Sequence, residues 1–232
     1  MDYNAQSEWT KKLTSGRMSY PSEYIIRIFR GEYPKLVLKN FSYKNKKLLD
    51  IGCGDGRNMA FLKSLGFDVH GLEITEEIAE KITENLNSVE ISATVVVGNN
   101  RKIPFPKEFF DFLVSWNSCY YMGHEKSFDN YVDEFARISK PESHLILSIP
   151  KKSCFIFKDS EEIRPGYREI KNDPFGVRNG EILRCFEDSD EIEATFSKHF
   201  EKFTFASIHD DCFGFNYHWH LAVCQKKDIY GH

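Results

Sequence analysis

The sequence predicts an α/β fold in which a seven-stranded, mostly parallel sheet carries helices on both faces. Two observations predict it. From residue 46 to residue 150, short apolar runs and helical patterns alternate at brief intervals, the rhythm of strand–helix–strand crossovers. Near the C-terminus, EKFTFASIH and YHWHLAVCQ alternate apolar with polar residues, as the two strands of an antiparallel edge hairpin do.

Each element has its local reason. Ahead of the sheet, Ser22 can cap a helix whose apolar residues Tyr24, Ile25, Ile28 and Phe29 fall at helical spacing, with Pro21 fixing the entry. KKLLDI is an apolar run closed by glycines and reads as a buried parallel strand. Arg57 to Leu65 reads as a helix ended by Gly66, and FDVHGLEI as the second strand. Thr75 caps an acidic first turn of a helix reaching about Leu86. ISATVVV is β-branched and reads as the third strand, FFDFLVSW as the fourth. Phe128 to Ile138 reads as a helix, SHLILSIP as the fifth strand, and Ser189 to His199 as the last helix. Residues 151–186 are polar and interrupted by Pro165, Gly166, Pro174, Gly176 and Gly180, the mark of a functional loop or an inserted subelement. The expected organisation is a helical cap over 1–45, a ligand-binding core over 46–150, a substrate-covering insert over 151–186, and the last helix and hairpin of the same domain over 187–232.

Bulk properties narrow the function. The 232 residues suffice for one α/β domain with a full core. A net charge of -4 disfavours a protein that lives on nucleic-acid phosphates. Aromatic residues reach 15%, with 20 Phe and 11 Tyr, enough to furnish an apolar pocket besides the core. The N-terminal segment shows no secretory pattern and no stretch approaches 18 apolar residues, so no membrane association is expected. Six cysteines without a CxxC pair read as free thiols in the cytoplasm.

The chemistry concentrates in Asp50-Ile51-Gly52-Cys53-Gly54-Asp55-Gly56, where a strand ends and a helix begins. Glycines let the backbone approach a ligand, and the free N–H groups of the following helix face the turn. Glu73 lies 17 residues beyond Gly56, at the end of the second strand. Ligands of open α/β sheets bind at such strand ends, and a carboxylate there can accept both ribose hydroxyls. A dinucleotide fold wants G-x-G-x-x-G, but Arg57 stands where its third glycine would be, and no GK[ST] follows for a phosphate loop. A nucleoside with an amino-acid head suits Asp50 better than a pyrophosphate does.

LLDIGCGDGRN resembles motif I of the class I S-adenosylmethionine (SAM)-dependent methyltransferases. GLEIT resembles their acidic loop, VVVGNNRKIPFPKEFFDF the stretch that follows, and EFARISKPESHLILSIP the next strand, all in order over residues 46 to 150. Pro141-Glu142-Ser143 replaces the family's usual P-G-G. Trp9 and Tyr20-Pro21 resemble the N-terminal helical cap of one branch of the family.

The resemblance implies a Rossmann-like sheet of order 3-2-1-4-5-7-6 and SAM as cofactor, with S-adenosylhomocysteine as product. It implies that Gly52, Cys53 and Gly54 face the methionyl part, with Asp50 in support and Arg57 and Asn58 opening the helix. Glu73 would bind the ribose and Ile74 pack on the adenine. Asn99, where the family often has Asp, would accept from the adenine amino group, and Asn100 would offer its backbone N–H. Trp116 and Asn117 would line the methyl-donor end.

Methyl transfer is an in-line displacement on an activated donor, so the protein mainly positions the acceptor, excludes water and removes a proton where needed. His124, after the fourth strand, is the candidate base. Trp9, Tyr20, Asn117, Tyr120, Tyr121 and Arg168 are the candidate substrate residues. His209, Asp210, Asp211, Cys212, His218 and His220 lack a metal-ligand spacing, so no metal is expected. The expected activity moves a methyl group to O or N of a small molecule: an anionic metabolite, a nucleotide or a surface-glycan precursor. A bacterial source and a monomer or homodimer fit this expectation. Two alternatives stand beside it, a non-catalytic SAM-binding partner protein and an NAD-type oxidoreductase.

Overall fold

The computed structural model describes residues 3–15, 20–36, 38, 42–123, 125 and 127–228, with side chains from residue 6 onward. Seven strands form one sheet: β1 (Lys47–Ile51), β2 (Asp68–Glu73), β3 (Thr94–Val97), β4 (Phe110–Trp116), β5 (Ser139–Pro150), β9 (Phe200–Cys212) and β10 (Phe215–Lys226). Their order is β3-β2-β1-β4-β5-β10-β9, the 3-2-1-4-5-7-6 order expected. The first five are parallel; β10 runs antiparallel to β5 and to β9, closing the sheet with the hairpin.

The helices are α1 (Tyr3–Ser15), α2 (Glu23–Arg30), α3 (Arg57–Ser64), α4 (Glu76–Asn87), α5 (Asp129–Ile138) and α6 (Ser189–Phe196). Alternation along each strand feeds a core on either face. Leu48, Phe112 and Val114 join Ile25, Phe29, Met59 and Ile82 of α2, α3 and α4. Leu49, Ile51 and Leu113 join Phe135 of α5 and Ile192 of α6 on the opposite face. Phe67, 1% exposed, fastens the N-terminal segment to the sheet: its ring lies 5.6 Å from Phe29, 4.8 Å from Tyr43 and 5.1 Å from Phe112.

Local signals hold, with differences in one cap and at the ends of some elements. Thr75 caps α4 by accepting from the Ile78 N–H at 3.2 Å, but the Ser22 side chain makes no cap bond, and its N–H donates instead to Asn58 Oδ1 at 3.0 Å. β5 starts at Ser139, four residues before the apolar run, because its early backbone pairs with β4. Residues 151–186 are not a bare flap: β6 (Ser160–Arg164), β7 (Tyr167–Ile170) and β8 (Ile182–Arg184) form an antiparallel sheet of three strands. Its first turn is Pro165-Gly166, with Gly166 at φ +74, and Pro-Gly is a strong turn signal.

Replacing Phe67 by Ala should cost about 3–5 kcal/mol through the lost apolar contacts and the cavity left behind. Urea unfolding measures this; a loss below about 1 kcal/mol would mean that the cluster does not anchor the N-terminal segment.

Candidate active site

The carboxyl ends of β1, β2 and β4 open into a cavity of about 700 Å³, inside the range of about 300–1,000 Å³ common for small-molecule sites. Its floor is the turn after β1. Gly52 and Gly54 both stand at φ +66, a region that side chains disfavour. At Gly52 a Cβ would come within 2.5 Å of Ser118 Cβ, whereas at Gly54 it would meet only Leu13 Cδ2 at 3.8 Å, projecting into the cavity. The turn is tied to β2: the Gly52 N–H donates to Leu72 O at 2.9 Å, and the Gly54 N–H donates to Glu73 Oε1 at 2.6 Å. The Ile74 N–H donates to Glu73 Oε2 at 3.1 Å, so both carboxylate oxygens are held in place. In the loop after β4, the Ser118 hydroxyl donates to Ile51 O at 2.5 Å and pins that loop against the same turn.

Two acids are buried here, Asp50 at 1% and Glu73 at 4% exposure. Burial raises the Asp50 pKa to about 7, helped by the neighbouring Glu73 charge. Burial also raises Glu73 to about 7, against the pull of the two backbone N–H groups. Neither Asp50 oxygen has a hydrogen-bond partner among the described residues. Burial keeps the Cys53 thiol protonated by pushing its pKa well up.

The cavity brings together Gly52, Cys53, Gly54, Arg57, Asn58, Glu73, Ile74, Asn99, Asn100 and Trp116 of the expected cofactor set. Asp50 lies behind the turn and outside the lining. Asn99 Oδ1 already accepts from the N–H groups of Arg101 and Lys102, at 3.0 and 3.1 Å, so its free amide hydrogens are what it presents to a ligand. Of the expected substrate residues, Trp9, Asn117, Tyr120 and Tyr121 line the cavity. Two do not. Tyr20 is 81% exposed. Arg168 bonds Ser160 and Glu162 within the inserted sheet and borders a separate cleft of about 250 Å³. His124 lies outside the described residues; its neighbours Gly123 and Glu125 line the cavity.

Sequence reasoning missed several lining residues. Beside the expected Trp9, the same face of α1 contributes Gln6, Lys12 and Leu13, a helical spacing legible in the sequence, and the Gln6 amide donates to Ile74 O at 3.3 Å. The insert contributes Phe155, Phe175 and Arg178, and β10 contributes Tyr217 and Trp219. No local pattern marks Phe155, Phe175, Tyr217 or Trp219, which the chain fold alone brings to the cleft; Arg178 is one of the insert's arginines, with Arg164 and Arg168, whose chemistry suits an anionic acceptor. On the hairpin, His209 and His218 stand 4.9 Å apart; His209 meets Lys151 and His218 meets Ser153. Among the described residues no group of three metal-ligating side chains converges.

The two raised acids set a pH dependence. Their folded pKa of about 7 exceeds the unfolded values, so the folded chain binds more protons between about pH 4 and 7. Stability is therefore fullest below that window and falls as pH rises through it. Thermal unfolding of the ligand-free protein should show this decline, and Asp50→Asn should flatten it and raise the melting temperature at pH 8. An unchanged profile in the variant would show that Asp50 is not the strained acid.

Residues 49–147 match the methyltransferase domain family. The chain is 28% identical over 167 residues to TehB of Haemophilus influenzae, a probable SAM-dependent methyltransferase, across 65% of this chain and 55% of that protein. It is 29% identical over 104 residues to protein arginine N-methyltransferase 1 of Chlamydomonas reinhardtii, across 43% of this chain and 30% of that protein. The chain thus spans about half or less of the length of these curated relatives. In fold it is similar to a SAM-dependent methyltransferase of Methanosarcina mazei, with TM-score 0.67, 21% identity, and 84% and 98% of the two chains covered. Residues 49–147 thus match a methyltransferase domain on a sheet of the expected order, and the chain is similar to SAM-dependent methyltransferases.

Proposed function

We propose that this chain moves a methyl group from SAM to an oxygen or nitrogen of a small acceptor, both held in the 700 Å³ cavity. The pairing of the glycine turn with Glu73 carries the reading. Residues 46–150 act as the cofactor core, 1–45 as a cap, 151–186 as the acceptor cover, and 187–232 complete the same domain.

The residues present suit the cofactor. Each Glu73 oxygen accepts one backbone N–H and keeps lone-pair capacity for the vicinal hydroxyls of a ribose. Gly52 to Gly54 would line the methionyl part by backbone, with Arg57 and Asn58 at the start of α3 behind it. Ile74 would pack on the adenine, with the Asn100 N–H and Asn99 amide at its edge, and Trp116 would border the sulfonium. Asp50, buried without a bonded partner, supplies negative potential for a cationic ligand, whose charge would in turn favour its ionised form. When bound, SAM supplies a methyl group already activated for displacement.

The chain's own groups then exclude water and orient the acceptor. Trp9 packs edge-on to Tyr121, ring centroids 6.1 Å apart, and Tyr121 stacks on Tyr120 at 4.9 Å. Burial raises the Tyr121 pKa, so at neutral pH its hydroxyl keeps its proton and serves to orient rather than to deprotonate. His124, flanked by two lining residues, is our candidate base, and Asn117 and Tyr120 shape the acceptor end. Trp9, Lys12 and Phe175 from α1 and the insert line the cavity, which favours a small acceptor over the protein arginine named for the Chlamydomonas reinhardtii relative. Among the described residues no helix is long and apolar enough to cross a membrane, and every described thiol is free. We place the protein in the cytoplasm of a bacterium, as a monomer or homodimer acting on neither nucleic acid nor membrane.

Calorimetry with S-adenosylhomocysteine should give saturable binding, weakened by Glu73→Gln about 10- to 100-fold through loss of hydrogen bonds to a charged acceptor. NADH should leave the melting temperature unchanged. Stabilisation by NADH and not by SAM or its product would overturn the reading.

A further inference from the structure

The acceptor end of the cavity has a chemistry of its own. Its walls are aromatic: Trp9 and Tyr121 on one side, Phe155 and Phe175 of the insert on the other, their rings 5.8 Å apart. Two cations line it. Lys12 Nζ lies 4.7 Å from the centroid of the Phe175 ring and 5.5 Å from that of Trp9. Arg178 Cζ lies 5.3 Å from the Trp9 centroid. The acids nearest this end, Asp173 and Glu181, are buried at 5% and 2% exposure and do not line the cavity.

Donors outnumber acceptors at this wall. Arg178 uses Nη1 on Asp173 Oδ1 at 2.9 Å and Nε on the Tyr121 hydroxyl at 2.9 Å, which leaves Nη2 without a hydrogen bond among the described residues. Lys12 Nζ forms no ion pair or hydrogen bond among them either. Trp9 Nε1 is buried and has no acceptor among the described residues. A buried N–H without a partner is costly and asks for an acceptor from the ligand. Asp173 pairs with Arg178, whereas Lys12 has no ion pair among the described residues and is the cation left for a ligand's negative charge. Burial and the nearby Arg178 charge lower the Lys12 pKa, as expected where an anion is missing.

We propose that the methyl acceptor is a planar aromatic monoanion, its ring held among Trp9, Tyr121 and Phe175 and its carboxylate met by Lys12, Arg178 and the Trp9 N–H. This rests on the methyl-transfer reading of the same cavity. Face-on aromatic contact recognises a flat ring, and the cations select its charged oxygen over a neutral isostere.

The test is a titration of protein saturated with S-adenosylhomocysteine. The probes are 4-hydroxybenzoate, indole-3-carboxylate and 1-hydroxy-2-naphthoate, each beside its amide. A carboxylate of the panel should bind at least tenfold tighter than its amide. Lys12→Glu should abolish that preference, leaving affinities for the amide and for S-adenosylhomocysteine within twofold. Trp9→Phe, which keeps a ring and removes the N–H, should weaken the carboxylate more than the amide. Amides binding as well as carboxylates, a preference that survives Lys12→Glu, or no binding by any probe would each overturn the proposal. Running the titration without S-adenosylhomocysteine separates the two readings. Failure of the nucleoside product to bind counts against methyl transfer, while a Lys12-dependent preference in that arm keeps the anion site.

Discussion

The hydrogen bond from the Gly54 N–H to the Glu73 carboxylate joins the carboxyl ends of β1 and β2, and the cleft is built around it. It requires a backbone that turns through positive φ at Gly52 and Gly54 with nothing projecting from either residue. A side chain at Gly52 would collide with Ser118, and Ser118 in turn holds the β4 loop to Ile51. Three strand ends are therefore locked by one tight turn. The same turn leaves open backbone and a carboxylate with spare lone pairs facing the cavity, where a ligand can use them.

That arrangement has an electrostatic cost. Two carboxyl groups lie close together out of water, and burial raises both pKa values. A ligand that brings hydroxyl donors to Glu73 and a positive charge within reach of Asp50 relieves both. Stability is thus traded locally for binding, as is usual where a site is preorganised.

The other half of the cavity is assembled by elements remote in the chain. Residue α1 side chains reach it from the N-terminus, and the insert reaches it from beyond β5. They meet through Trp9 with Tyr121, Lys12 with Phe175, and Arg178 with Tyr121, which is 57 residues away in sequence. The inserted three-stranded sheet places these groups, and its own polar faces carry Arg168 into a separate cleft. The strand ends thus line one part of the cavity, while α1 and the insert line the rest.

The sequence by itself determined the sheet, its crossovers and the turn with its acid. These rest on local signals: apolar runs of strand length, glycines where the backbone must turn, Thr75 as a cap, and a carboxylate at the end of the next strand. The family resemblance also put Trp9 in a helical cap, but it could not say that the same face would present Lys12 to Phe175. Arginine content pointed to Arg164, Arg168 and Arg178 alike, and the fold turned Arg168 to Ser160 and Glu162 while turning Arg178 inward. Tyr20, singled out beside Pro21, ended in solvent. Only the tertiary structure decided these outcomes, because which side chains share a wall depends on how the insert's strands pair and where α1 packs, and no neighbouring residue records either.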